Sequence, residues 1–245
     1  MSLILCRQEC VKHPYYIDVL GIYIHSSQEL CYVIYNHPLL VLDHFVDELL
    51  LGFIRRDLGM DCLAGRMEKL IETGSRPEDV LLLLLSECDY YSEKEIQKFK
   101  AAVSAIRSLH PAQYDKELAD YLFNQRQFGK AAGRYEKALE YPRDRYVDDA
   151  FFEAVYNNLG ASYAMMFRFH KALQAYDKAY ELKKSPDVLK RIYFLTMFAP
   201  ELEVRERYGS LFTQELEAQW RHEADTAALE AGQAEEVRAL RALFK

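Results

Sequence analysis

Proline and glycine are scarce in this chain of 245 residues, 7 and 10 in number, which excludes collagen-like and loop-dominated architectures. Half of the residues are hydrophobic and 28% are charged. That balance also excludes the disordered class, whose members cannot bury enough apolar surface to offset chain entropy. Long apolar runs are missing too. Val80 to Leu85 is short, and Pro38 to Ile54 is interrupted by Asp43, His44, Asp47 and Glu48, whereas a membrane-spanning helix needs about 20 apolar residues. At the start only Leu3 to Cys6 is continuously apolar, less than the core of a secretory signal. The expectation is a folded cytoplasmic protein of one large or two small domains, without a membrane partner.

Cysteine is sparse and odd in number: Cys6, Cys10, Cys31, Cys62 and Cys88, all in the first 88 residues. A disulfide framework needs more and paired cysteines, so reduced thiols are expected. Cys6, Cys10 and His13 have a spacing that offers three metal ligands but no nearby fourth, and no metal is expected there. Clustered Lys and Arg are missing as well. The net charge is −7, which argues against nucleic acid as a partner. Residues 111 to 200 alone carry an excess of base, 14 Lys and Arg against 12 Asp and Glu.

Catalytic signatures are equally lacking. There is no G-x-S-x-G, Walker A loop, G-x-G-x-x-G or H-E-x-x-H, and the seven histidines stand singly. The expectation is therefore a non-enzyme without a cofactor. The alternative from another class is an enzyme with a site in the N-terminal region, around Cys62 or His44.

What the chain does contain is an internal repeat. Lys130-Ala-Ala-Gly-Arg-Tyr-Glu-Lys-Ala138 aligns with Lys171-Ala-Leu-Gln-Ala-Tyr-Asp-Lys-Ala179 at an offset of 41. The offset persists upstream, pairing Leu118 with Leu159, Ala119 with Gly160, Leu122 with Tyr163 and Phe128 with Phe169. Two copies of one helical hairpin are predicted, with small residues at the helix crossing and aromatics filling the gaps. Pro142-Arg-Asp-Arg should break the chain between the copies, and the next helix should begin near Ala150.

This pattern resembles the tetratricopeptide repeat (TPR) family, with its W-x2-L-G-x2-Y helix followed by an A-x3-F helix and a proline. Tyr156, Leu159, Gly160, Tyr163, Ala172, Tyr176, Ala179 and a late Pro186 carry the second copy. The first departs more, with Asp115 at the Trp position, Ala119 for Gly and Leu122 for Tyr, while Ala131, Tyr135, Ala138 and Pro142 remain. As a whole the chain looks like the small bacterial TPR proteins.

The expected fold is all-α: a helical N-terminal region over 1–110, TPR-like repeats over 111–200 and C-terminal capping helices over 201–245. The repeats occupy about 112–142 and 153–186, plus a third leading helix to about 199. Capping-box spacings at Ser26, Ser75 and Ser92 predict helices near 27–36, 43–57, 61–73, 76–88 and 93–109. Tyr15 to His25 suits either helix or strand. Val204, Tyr208, Phe212, Leu216 and Trp220 recur every four residues and predict a capping helix up to Gly232, with Val237, Leu240 and Phe244 in a last short one.

The resemblance implies a scaffold whose leading helices line a groove that holds a protein or peptide segment. By alignment the groove residues are Lys116, Asp120, Phe123 and Asn124, then Asn157, Asn158, Ala161 and Met165, then Lys190 and Arg191. Lys116, Asn158 and Arg191 fall near the positions with which some members clamp a chaperone's C-terminal carboxylate. Asp120 stands where such a clamp has Asn, and its carboxylate would repel an acidic tail. The basic character of this region implies a partly acidic partner. Self-assembly through the Trp220 helix, as in a homodimer, is the alternative within the binding class.

Overall fold

The computed structural model describes residues 11–42 and 45–233. The fold is all-α, with thirteen helices among the described residues and one small hairpin. Two compact units divide the chain, one up to Asp148 and one from Asp149.

In the first unit the ambiguous segment is extended. β1 (Tyr15–Ile17) pairs antiparallel with β2 (Ile22–Ile24), joined by a turn that needs Gly21 at φ +65°. Tyr16 and Tyr23 sit opposite each other with ring centroids 4.8 Å apart, a cross-strand aromatic pair that favours strand over helix. α1 (Ser27–Asn36) follows, with Ser26 Oγ accepting from the Glu29 amide. Glu29 reaches back one residue further than a capping box requires, to the His25 amide at 2.6 Å. α2 (Pro38–Val41) is a single turn. The helix expected over 43–57 resolves, within the described residues, into α3 (Glu48–Gly52) and one π-helical turn over Phe53–Asp57.

α4 (Asp61–Glu72), α5 (Pro77–Glu87) and α6 (Glu93–Arg107) match their expected spans closely. The expected cap at Ser75 does not form. Arg76 is the cap position of α5, Pro77 is its first residue, and Glu78 turns inward to meet Arg107 at 3.1 Å. Ser92 and Glu95 do make the reciprocal box. Leu30, Ile34, Leu50, Ile54, Met67, Leu81, Leu84 and Leu85 are at most 1% exposed and form the core under these helices.

α7 (Pro111–Asn124) and α8 (Phe128–Ala138) make the first hairpin; α9 (Asp149–Met165) and α10 (Phe169–Leu182) make the second. Their turns are the same turn. In the first, the amides of Arg126 and Gln127 donate to the carbonyls of Phe123 and Leu122; in the second, those of Phe167 and Arg168 donate to Ala164 and Tyr163. Arg126 and Phe167 sit at φ +58° and +59°. Every partner is displaced by the offset of the sequence repeat, so the repeat is one of backbone geometry as well as residue type.

The departures of the first copy have a physical reason. Asp115, in place of an aromatic, is 1% exposed and is met by Arg134 at 2.9 Å, Lys137 at 3.1 Å and the Tyr141 hydroxyl at 3.0 Å. A buried carboxylate is tolerable only with such partners, and here an ion network fills the gap that an aromatic ring fills in the resembled pattern.

In the second unit α11 (Pro186–Phe198) packs on α10, followed by α12 (Val204–Tyr208) and α13 (Gln214–Gln233). The single capping helix is thus broken over Gly209–Thr213. The break lets Phe212 and Trp220 both meet Tyr193, each with ring centroids 5.3 Å away. α13 passes through Gly232 instead of stopping there, and the helix expected around Val237, Leu240 and Phe244 lies outside the described residues.

Candidate interaction groove

α9 and α11 are leading helices of successive hairpins, so their polar faces repeat along the second unit. Glu153 and Asn157 from α9 and Asp187, Lys190, Arg191 and Phe194 from α11 line a cleft of about 420 Å³. Asn157 Oδ1 is sealed from solvent and has no hydrogen-bond partner. An unmade bond of that kind costs about 1–3 kcal/mol.

Lys190 and Arg191 are already engaged. Lys190 Nζ pairs with Glu223 of α13 and lies 5.8 Å from the centroid of Phe194. The pairing, reinforced by Gln219, holds the Glu223 carboxyl below the usual range. Arg191 interacts with the Tyr176 hydroxyl, whose pKa burial pushes up and Arg191 draws back down. The Asn158 carbonyl accepts from Ser162 Oγ at 3.0 Å. Ala161 is half-buried, and Met165 at the end of α9 is exposed.

In the first unit Lys116 and Asp120 pair across one helical turn at 2.6 Å, and Asp120 also accepts from the Tyr135 hydroxyl. Phe123 packs edge-on against Phe128 with centroids 5.2 Å apart, and Asn124 is exposed. The alignment therefore named residues on α7, α9 and α11 but not their ties to other side chains. It also passed over Glu153, Asp187, Phe194 and Glu223. The first three lie about one helical turn from named residues, so extending the same faces by three or four positions would have found them. Glu223 had no such signal, because its place depends on how α13 packs.

Cys6, Cys10 and His44 lie outside the described residues; His13 pairs with Asp57 at 3.2 Å, and Cys62 is exposed. No group of three or more His, Cys, Asp or Glu suited to a metal occurs among the described residues. A cavity of about 970 Å³ in the first unit does gather His13, His25, Asp57 and Cys88. Among the described residues no hydrogen bond joins Cys88 to either histidine, so the nucleophile–base contact of covalent catalysis is not formed. Trp220 is 4% exposed and its ring packs on Tyr193 and Phe212 of its own chain, which lends no support to a homodimer through its helix. No described helix is long and apolar enough to cross a membrane.

Against known proteins, the chain is 33% identical over 73 residues to a protein named Hsp70-Hsp90 organising protein from Plasmodium falciparum. The matched stretch is 30% of this chain and 26% of that protein, so the chain spans well under half the length of the relative. The likeness suggests TPR-like helical repeats and, at most, a role in protein interaction. It lends no support to a bacterial source. No family model and no solved structure matches.

Proposed function

We propose that this chain is a non-catalytic adaptor that holds a partner protein segment in the cleft between α9 and α11. The observation that carries the reading is the cleft itself, where Asn157 of α9 and Lys190, Arg191 and Phe194 of α11 come together. A segment laid along the cleft offers polar groups to the Asn157 side chain, a carboxylate to Lys190 and Arg191, and an apolar side chain to Phe194. Such a segment is extended or helical and partly acidic. The relative's name makes Hsp70 and Hsp90 the first partners to try. Asn158 and Met165 extend the surface on α9. The Lys116, Asp120, Phe123 and Asn124 face of α7 offers a second polar surface in the first unit.

The test is titration calorimetry with purified Hsp70, purified Hsp90 and a synthetic acidic peptide, at low and high salt, with cross-linking mass spectrometry of any complex formed. The expected result is salt-sensitive binding with cross-links to Lys190 or to Lys183, which also lines the cleft, weakened by Asn157→Ala. Binding that ignores both salt and Asn157, or cross-links confined to the first unit, would overturn the reading.

A further inference from the structure

The second hairpin carries apolar residues on a turn that does not need them. At its tip Met165, Met166 and Phe167 stand where the first hairpin has Asn124, Gln125 and Arg126. The two turns share their backbone hydrogen bonds and their left-handed residue, so the polar residues suffice to form the turn. Phe167 is 79% exposed at φ +59°. It bears backbone strain without burial in its own chain, a combination that points to use by something outside it. Neighbouring rings extend the patch. Phe167 packs edge-on against Phe169 with centroids 6.0 Å apart, and Phe169 stacks on Phe198 of α11 at 6.2 Å. Met165, Met197 and Phe198 are exposed as well. Single exposed apolar residues are ordinary, whereas a contiguous cluster marks an interaction surface.

The charges beside the patch identify its occupant. Next to Phe169, Arg168, His170 and Lys171 are exposed. The first turn of α10 holds no acidic residue and its cap position makes no side-chain hydrogen bond, so the positive end of the helix adds to these bases. Beyond Phe198, Glu201 and Glu203 are exposed. Among the described residues Arg168, His170, Glu201 and Glu203 enter no ion pair. The surface is thus basic beside one ring, acidic beyond the other and apolar between them.

We propose that two copies of this chain associate through the patch as a two-fold dimer, with the Phe167 ring of each copy set against Phe169 and Phe198 of the other. A two-fold rotation brings base to acid, acid to base and rings to rings, the self-complementarity that an isologous interface requires. An anionic membrane is the poorer fit: it accepts the apolar tip and the bases but repels Glu201 and Glu203. The association is weak, because it rests on few aromatic anchors, and dilute chain is monomeric. It is separate from the cleft between α9 and α11, with which it shares only the exposed Met165.

The test is sedimentation equilibrium of the full chain from micromolar to submillimolar concentration. The expected result is a reversible monomer–dimer equilibrium. Met165→Asn combined with Phe167→Arg installs the first hairpin's own residues, so the turn should still fold, as melting of dilute protein checks. That variant should raise the dissociation constant about tenfold or more, as loss of a central aromatic anchor does. Phe198→Ser should act in the same direction from the other helix. Arg168→Glu and Glu201→Arg should each weaken the dimer, and the two together in one chain should recover most of the parent affinity, which unspecific apolar clustering does not do. Asn157→Ala, in the cleft, should leave the dimer unchanged. A monomer at every concentration, a dimer indifferent to the Met165, Phe167 and Phe198 variants, or no recovery in the doubly reversed chain would overturn the proposal. So would a monomer that binds phosphatidylserine vesicles through Phe167, which would assign the patch to a membrane.

Discussion

The Cβ that Gly160 lacks would stand 2.5 Å from Cε1 of Tyr176, so the α9 backbone lies directly on the tyrosine ring of α10. Tyr176 is 4% exposed and Ala172, one turn earlier, is fully buried. The ring cannot retreat without moving its helix. Gly160→Ala should therefore destabilise the second unit by about 1–3 kcal/mol, and Gly160→Leu by more. In a Tyr176→Leu background the Gly160→Ala cost should shrink, a coupling that a double-mutant cycle in urea would measure. Unchanged melting for Gly160→Leu would mean that the two helices do not cross there.

Asp115 of the first unit anchors three partners from one buried carboxylate. Replacing it by Ala leaves Arg134 and Lys137, both partly exposed, able to turn to water, but loses the Tyr141 bond and opens a gap. The expected cost is on the order of 2–3 kcal/mol, from hydrogen bonds to a charged group. Arg134→Ala, which leaves the buried charge short of a partner, should be comparably harmful. Chemical denaturation of both variants checks this.

Phe167 is 79% exposed and sits at φ +59°, where a bulky side chain pays for a left-handed backbone. Phe167→Gly should stabilise the hairpin by up to about 1 kcal/mol, since it loses little burial and relieves the strain. A lower melting temperature would instead show that its contact with Phe169, centroids 6.0 Å apart, outweighs the strain.

Much of this was legible in the sequence because the repeat carries its own register. Leu122 and Tyr163 occupy one position of the turn, as do Gln127 and Arg168, and the offset alone predicts it. Ser92 and Glu95 were legible because a capping box is local. The Tyr15–Ile24 hairpin was not, since three-residue strands have too little periodicity to separate from helix. The Lys190–Glu223 pair was invisible, because it depends on the break between α12 and α13 that lets Phe212 and Trp220 share Tyr193. Local rules find helices and caps; ties between distant segments need the packed chain.

His37 caps α2 and its Nδ1 lies 2.9 Å from the hydroxyl of Tyr121, a pair that burial tunes on both sides. Burial lowers the His37 pKa from its ordinary value of 6.5 and raises that of Tyr121 to about 12. Below pH 6.5 the unfolded chain takes up a proton that the folded chain resists, so stability should fall as pH drops, until the folded pKa is reached. His37→Gln should flatten that part of the profile. Thermal melts at closely spaced pH values test the sign, and a rise in His37-dependent stability on acidification would contradict it.

Lys190 is held by Glu223 before any partner arrives, so on the proposed reading an acidic segment must compete with the chain's own carboxylate. Glu223→Gln should free the ammonium and tighten binding of an acidic peptide several-fold, since a modest charge pair is worth about 0.2–1 kcal/mol. Lys190→Ala should weaken binding and abolish the effect of Glu223→Gln. Asn157→Ala should weaken it independently, because the side chain lost from the cleft is a neutral amide and not a charge. Affinity should fall with salt in the parent, as exposed pairs are screened beyond about 8–10 Å, and fall less in Lys190→Ala. Calorimetry on the three variants at two salt concentrations separates these terms. Equal affinities for Glu223→Gln and the parent, with undiminished salt dependence in Lys190→Ala, would place the acidic contact elsewhere.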